Sequence, residues 1–400
     1  MLKMVDGTGI IGVDMVCPLG GTVSPPQPPN YDKVEMEGVG SLMLPNSLKA
    51  PLERVELLGN SVQGENPAPD NPQEIKSAGK WNEGAQKYEV DVKVTGKNLF
   101  NLTDNYIWGW FASYQTQISL HSVNAVVYMP CKPNTTYTIY GRTNINGNNN
   151  VKNRVATAND FPAEGTKLHN ITETQLSNPV TITTDELSKY LVIMAVTDNE
   201  CNIYTREQVL KQNVSKMMVI TGNTPTPYEP YTEQTLTLTS DRPITKWDRL
   251  VEQGGQYGWL YKHRIVNDLS ALVKDSEPIY GKDGEKYFSV SLQGALFNYD
   301  YNKIYSVAGL CPKDSKIHYV PKPMIQSVVI YVSDTDTIMT AKEHMHYKVI
   351  YETTESQFAP LSESEQTQLR NLHSYNGTTH ITVDSGEVPC GIKLTYRKEK

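Results

Sequence analysis

Three prolines crowd into residues 224–231, and they cut this 400-residue chain in two. Pro225, Pro227 and Pro230 fix their own φ angles and push the residues before them into extended conformations, so the segment forms a stiff, non-helical strap. An alternating stretch at 217–221 runs into the strap and is stopped by Gly222 and Asn223, both of which tolerate the backbone angles of a turn. The chain before the strap closes as one domain, and the chain after it starts another.

A chain of this length holds two or three domains. Hydrophobic residues make up 38% and mean hydropathy is -0.46, while 24 Tyr stand against 6 Phe. That aromatic balance suits half-buried strands better than helices, so the expected class is mainly β. The net charge of -7, from 37 basic and 44 acidic residues, contains no basic block, which argues against nucleic-acid partners. No apolar run approaches the ~20 residues of a membrane span, and the patch at 10–13, broken by Asp14, makes a poor signal peptide. The expectation is a soluble protein made in a cytoplasm, without membrane insertion. The five cysteines are widely separated and include no Cys-x-x-Cys pair, so small buried thiols are expected rather than disulfides or zinc ligands.

Read in order, residues 1–30 end in a proline run and form an extended arm. Residues 31–95 form an N-terminal β and attachment region with a second strap at 63–72. Its clearest strand is 87–94, where Tyr88, Val90, Val92 and Val94 share one face. Residues 96–231 have the size of a β-sandwich. They carry alternations at 122–129, 136–141 and 190–197, an Asn/Gly loop tip at 144–150, and short helices expected at 184–189 and 205–212, the latter with Thr205 and Gln208 in capping-box spacing. Residues 232–264 read as a linker hairpin turning at Gly254 and Gly255. Residues 265–400 read as a second β-domain with strands at 287–292, 325–332, 347–352, 378–383 and 390–396. Its one helix, 362–373, is capped by Ser362 and Glu365.

No nucleophile elbow, phosphate loop or convergent pair of carboxylates is present, so no catalytic residue, metal ligand set or cofactor is assigned. Asp334 and Asp336 suit a solvated turn better than a calcium site, since further ligands are not evident. His344 and His346, two apart, would share a strand face, with no third metal ligand in view. The pattern that invites a functional reading is Tyr106, Trp108, Trp110 and Tyr114. Aromatic faces receive the C–H patches of sugars, and Asn-rich loops supply hydroxyl partners. The same spacing puts Trp108 and Trp110 on one strand face, which equally suits core packing.

Several blocks carry a resemblance. They are the Thr-Pro-x-x-Tyr-Glu-Pro-Tyr strap ending at Tyr231, the Ile-Thr-Lys-Trp-Asp run at 244–248, and the Gly-x-Tyr-Gly-Trp hairpin at 255–259. With them go the proline-rich block 64–79, the Gly-Lys-Asn-Leu-Phe-Asn block 96–101, and Leu-Ser-Glu-Ser-Glu at 361–365 with His-Ser-Tyr-Asn-Gly after it at 373–377. Together they resemble tail and baseplate proteins, of the receptor-binding or baseplate upper type, from bacteriophages and prophages of Gram-positive bacteria. The match spans most of 55–385 but neither 1–54 nor the interior 102–213. It implies a jelly-roll module similar to carbohydrate-binding modules at 96–231 and attachment to other tail or baseplate proteins. It further implies a homotrimer in the virion that binds host surface polysaccharide. The rival readings are a structural adaptor or decoration protein, and a depolymerase that cuts the glycan it holds.

Overall fold

The computed structural model describes residues 5–6, 9–10, 31–103, 105–112, 116–144, 152–176, 178–197, 205–273 and 278–400. The protein is mainly β, a base sandwich carrying two inserted modules. Of the arm at 1–30, the described residues form a short antiparallel pair, Val5–Asp6 with Gly9–Ile10.

One sheet of the base contains Glu233–Ser240, Lys87–Thr95, Gly377–Asp384 and Ser41–Ser47, paired in that order. The other runs from Tyr31–Val39 through Gly391–Glu399, Glu53–Leu58, Arg249–Gln253, Gln256–Val266 and Val349–Pro360 to the edge strand Ile304–Ser306, which comes from within the second insertion. They meet at one corner, where Lys398 pairs with Ser47. Strict alternation aims Val90, Val92 and Val94 inward from the first sheet, against Leu57, Trp259, Ile392 and Leu394 from the second. Trp259 is fully buried and donates its indole N–H to Thr239 O at 2.8 Å. Segments that read along the chain as an attachment region, a linker hairpin and the end of a C-terminal domain thus share one core. The first of these strands pairs with the last, Val39 with Gly391, and such distant pairing leaves no trace in local periodicity.

Both modules leave the base from adjacent antiparallel strands. The chain departs after Thr95 and returns at Glu233, its direct cross-strand partner. It departs again after Val266 and returns at Val349, also a direct partner. Each insertion is therefore closed at its root by a ladder ~5 Å wide.

The first module is a two-sheet sandwich. Strands Tyr106–Ala112, Gln117–Pro130, Tyr190–Val196, Lys152–Ala158 and His169–Gln175 face Val180–Thr183, Thr136–Tyr140 and Met218–Thr221. Helix α1 (Arg206–Val214) closes the core with Val209, Leu210 and Val214, and its Thr205/Gln208 capping box is formed. Residues 184–189 form no helix, because the Asp185 carboxylate accepts the N–H of Leu187 and the Ser188 hydroxyl and fixes a turn instead. The second module, 267–348, has its own core around Phe288, Phe297, Ile330 and Tyr347. It includes a short helix α2 (Ile338–Glu343) started by Thr337 and Thr340. The expected helix near 362–373 is α3 (Glu363–Asn371), with Ser362 and Glu365 reciprocally capped. The hairpin turns at Gly254 and Gly255, at φ +59° and +79°, values that favour glycine at both positions.

Asn98 clamps the root of the first module. Its side chain, 2% exposed, donates to Met217 O and Glu229 O and accepts from the N–H of Phe100 and of Val219, at 3.0–3.3 Å. Lys97 adds an ion pair to Glu229 at 2.7 Å. The proline strap therefore returns along a defined path. Truncation at Asn98 strands these backbone groups, so Asn98→Ala is expected to lower stability by about 2–4 kcal/mol in denaturant titration. A loss under about 1 kcal/mol would show that the clamp is dispensable.

Candidate functional site

The aromatic run read from the sequence is split by the fold. Strand Tyr106–Ala112 pairs with Gln117–Pro130, but the register jumps from Trp108↔Ala125 to Gly109↔Leu120. Before the jump, Tyr106 and Trp108 pack edge to face at 5.8 Å against the module core. Past it, Trp110 is 44% exposed. Tyr114 lies outside the described residues. The four residues do not form a described groove.

The other sequence candidates take structural places. Asp336 accepts the N–H of Ser333 and the Tyr319 hydroxyl, which closes a turn. His344 and His346 are not on a strand: His344 caps α2, and His346 Nδ1 lies 3.1 Å from the Asp268 carboxylate. A buried Asp248–His263 pair, 2.7 Å apart, sits in the base with both side chains sealed from solvent. Asp248 also accepts from Thr245 N and Oγ1 and from Lys262 N, so it braces the 244–248 turn. Cys311 and Cys390 are buried free thiols and Cys131 is half-buried; burial pushes the Cys131 thiol up to about 12.

Two clefts remain. The first lies on the base where the short strand Lys80–Asn82 hairpins onto Lys87–Thr95. Asn82 Oδ1 accepts from Gly84 N and Ala85 N and sets the turn, which places Trp81 directly across from Tyr88. The two rings lie 5.0 Å apart at 57°, and Trp81 is 45% exposed. A cleft of about 420 Å³ opens beside them, edged by Lys76, Lys80, Lys348 and Glu387. Gly79, at φ +100°, lets the backbone pass within van der Waals reach of Tyr88. Lys80 bridges Asp91 and Asp384, and Lys76 pairs with Glu387. Burial works to lower the Lys80 pKa, but its bonds to Asp91 and Asp384 outweigh that and hold it above the ordinary value. The exposed indole thus shares its cleft with the Lys76–Glu387 ion pair and the Lys348 ammonium, while the Lys80 bridge to Asp91 and Asp384 ties the hairpin down from its other face. Such a surface suits a flat apolar face bearing hydroxyls at its edges. Sequence reading missed Trp81 because its strand is three residues long and has no periodicity.

The second cleft, about 660 Å³, lies between the base and the first module. Its base wall includes Lys93, His380 and Thr382, and its module wall includes Leu99, Asn101, Met129 and Lys132. His380 is 6% exposed, with Nε2 unpartnered. Burial, with a smaller contribution from Lys132, lowers its pKa to about 4. Nearby, Lys93 pairs with Glu233 at 2.7 Å, and Glu233 also accepts the Tyr231 hydroxyl. Burial first, then that bond to Glu233, raises Tyr231 to about 12.

No family model matches the chain, and no curated protein matches it. Among solved structures, two single-substitution variants of Bacillus subtilis oxalate decarboxylase align at 11% and 10% identity, covering 76% of this chain and 79% of theirs. The TM-score is 0.10 for both, which carries no argument about fold or chemistry. Among the described residues, no helix is long and apolar enough to cross a membrane.

His380 makes stability pH-dependent in a defined window. Its folded pKa lies below the unfolded value of about 6.5, so the unfolded chain takes up the proton first. The penalty is absent above about pH 6.5, grows as pH falls, and levels off below about pH 4. Across that window the wild type is expected to lose up to about 3 kcal/mol more than His380→Gln does, in parallel denaturant titrations. Equal pH profiles would mean that His380 is not held neutral by its surroundings.

Proposed function

We propose that this chain is a virion protein of a phage tail or baseplate that binds host-surface glycan, with the Trp81 cleft as its contact. The observation that carries this reading is the half-exposed Trp81, backed by Tyr88 and lining a cleft edged by Lys348 and the Lys76–Glu387 ion pair. The blocks that resemble phage tail proteins give it further support, because they fall at the joints of the fold. Residues 64–79 lead into the Trp81 hairpin, and the Gln73 N–H within them donates to Val307 O of the second module. Block 96–101 contains the Asn98 clamp, and 244–248 contains the buried Asp248 brace. Assembly as a homotrimer, attachment to neighbouring virion proteins and a jelly-roll origin of residues 96–231 belong to the same reading.

A structural adaptor is the second reading, favoured by the packing of Tyr106 and Trp108 against the core. The separating experiment titrates the full chain with purified cell-wall polysaccharide from candidate Gram-positive hosts. Tryptophan fluorescence and reducing-end release are followed together. Saturable binding without release is expected, weakened about 30-fold, or about 2 kcal/mol, by Trp81→Ala. Trp108→Ala is expected to reduce stability instead. Binding untouched by Trp81→Ala would move the contact off this cleft, and no binding across several hosts would leave the adaptor. Release of reducing ends would make the protein a depolymerase.

A further inference from the structure

The cleft between the base and the first module has an electrostatic asymmetry of its own. Its one lining carboxylate among the described residues, Glu233, is already engaged by the Lys93 ammonium and the Tyr231 hydroxyl. Lys132, at the rim, has no carboxylate partner among the described residues, and the buried His380 ring in the opposite wall leaves Nε2 without a hydrogen-bond partner. Among the described lining residues, two ammonium groups thus stand against one carboxylate. The rest of the wall is amide and hydroxyl, from Asn101, Asn105, Thr221 and Thr382, with an apolar strip from Leu99 and Met129. That lining suits a polyhydroxylated ring, and a volume of about 660 Å³ holds an oligosaccharide segment of two or more units.

We propose that this junction cleft is a second binding site, specific for an acidic sugar whose anionic group is received between Lys132 and His380. Among the described residues, the charged and titratable groups that line the cleft with His380 are Lys132, Cys131 and Tyr137 from the module, Lys93 from its own sheet, and the Glu233–Tyr231 pair from the return of the strap. All but Glu233 are cationic or neutral, and Glu233 is matched by Lys93. An entering anion therefore stabilises the protonated imidazole, and binding takes up a proton. Affinity for an anion then rises as pH falls, opposite to what a carboxylate-lined site would show. The site also bridges two bodies of the fold, so its ligand would fix the first module against the base.

The test uses the full-length protein and three small probes. Digalacturonate carries carboxylates, glucose 6-phosphate carries a phosphate, and maltose is a neutral control. Binding is read from the His380 imidazole resonance by NMR and from calorimetry between about pH 7 and pH 5. An anionic probe is expected to shift His380 and to bind up to about tenfold tighter per pH unit on acidification. Maltose is expected to leave His380 unmoved, and Lys132→Met, a change at the exposed rim, to weaken the anion at least about tenfold. Response to digalacturonate alone supports the site as a carboxylate receptor, and response to glucose 6-phosphate alone supports it as a phosphate receptor. No shift with either anion, or an affinity indifferent to both pH and Lys132→Met, overturns the proposal. Neutral polysaccharide reports on the Trp81 cleft, so the two sites fail or stand separately.

Discussion

The architecture depends on two cross-strand pairs, Thr95 with Glu233 and Val266 with Val349. Each holds together the ends of an insertion that would otherwise be a very long excursion from a sheet. Loop-closure entropy grows only slowly with length, and a module with its own core adds favourable burial to offset it. The base must therefore hold these two strand pairs in place. Its core of alternating Val, Leu and Ile, with Trp259 and Tyr261 at the centre, provides that, and the Asn98 hydrogen bonds then fix the direction in which the first module departs.

Local signals in the sequence translated well where the physics is local. The alternation at 87–94 became Lys87–Thr95, Gly254 and Gly255 became a two-residue turn, and the capping boxes at Thr205 and Ser362 started the helices expected of them. Helix α2 escaped notice because its box uses Thr340 in place of an acidic or amide residue, and its formation moved His344 and His346 off the strand assigned to them. What the sequence could not convey was which strands meet. Tyr31–Val39 pairs along its length with Gly391–Glu399, and nothing in either segment names the other.

The same limit governs the sites. The cluster at 106–114 was legible as aromatic, but its division depends on a register jump set by a partner strand. Trp81 and His380 acquire meaning only from neighbours far away in the chain: Trp81 from Glu387 and Lys348 across its cleft, His380 from Lys132 in another module. Both candidate sites are products of tertiary assembly, and each lies beside a seam between segments distant in sequence.

The closed roots have one more consequence. At its first seat the base imposes one geometric condition, that the first and last residues of the passenger lie one strand spacing apart. The second seat asks for more, because Ile304–Ser306 from inside its passenger pairs with the base strand at Val349–Tyr351. A lineage built on such a frame is free to exchange the first passenger whole by recombination, whereas a replacement for the second must also bring an edge strand for the base.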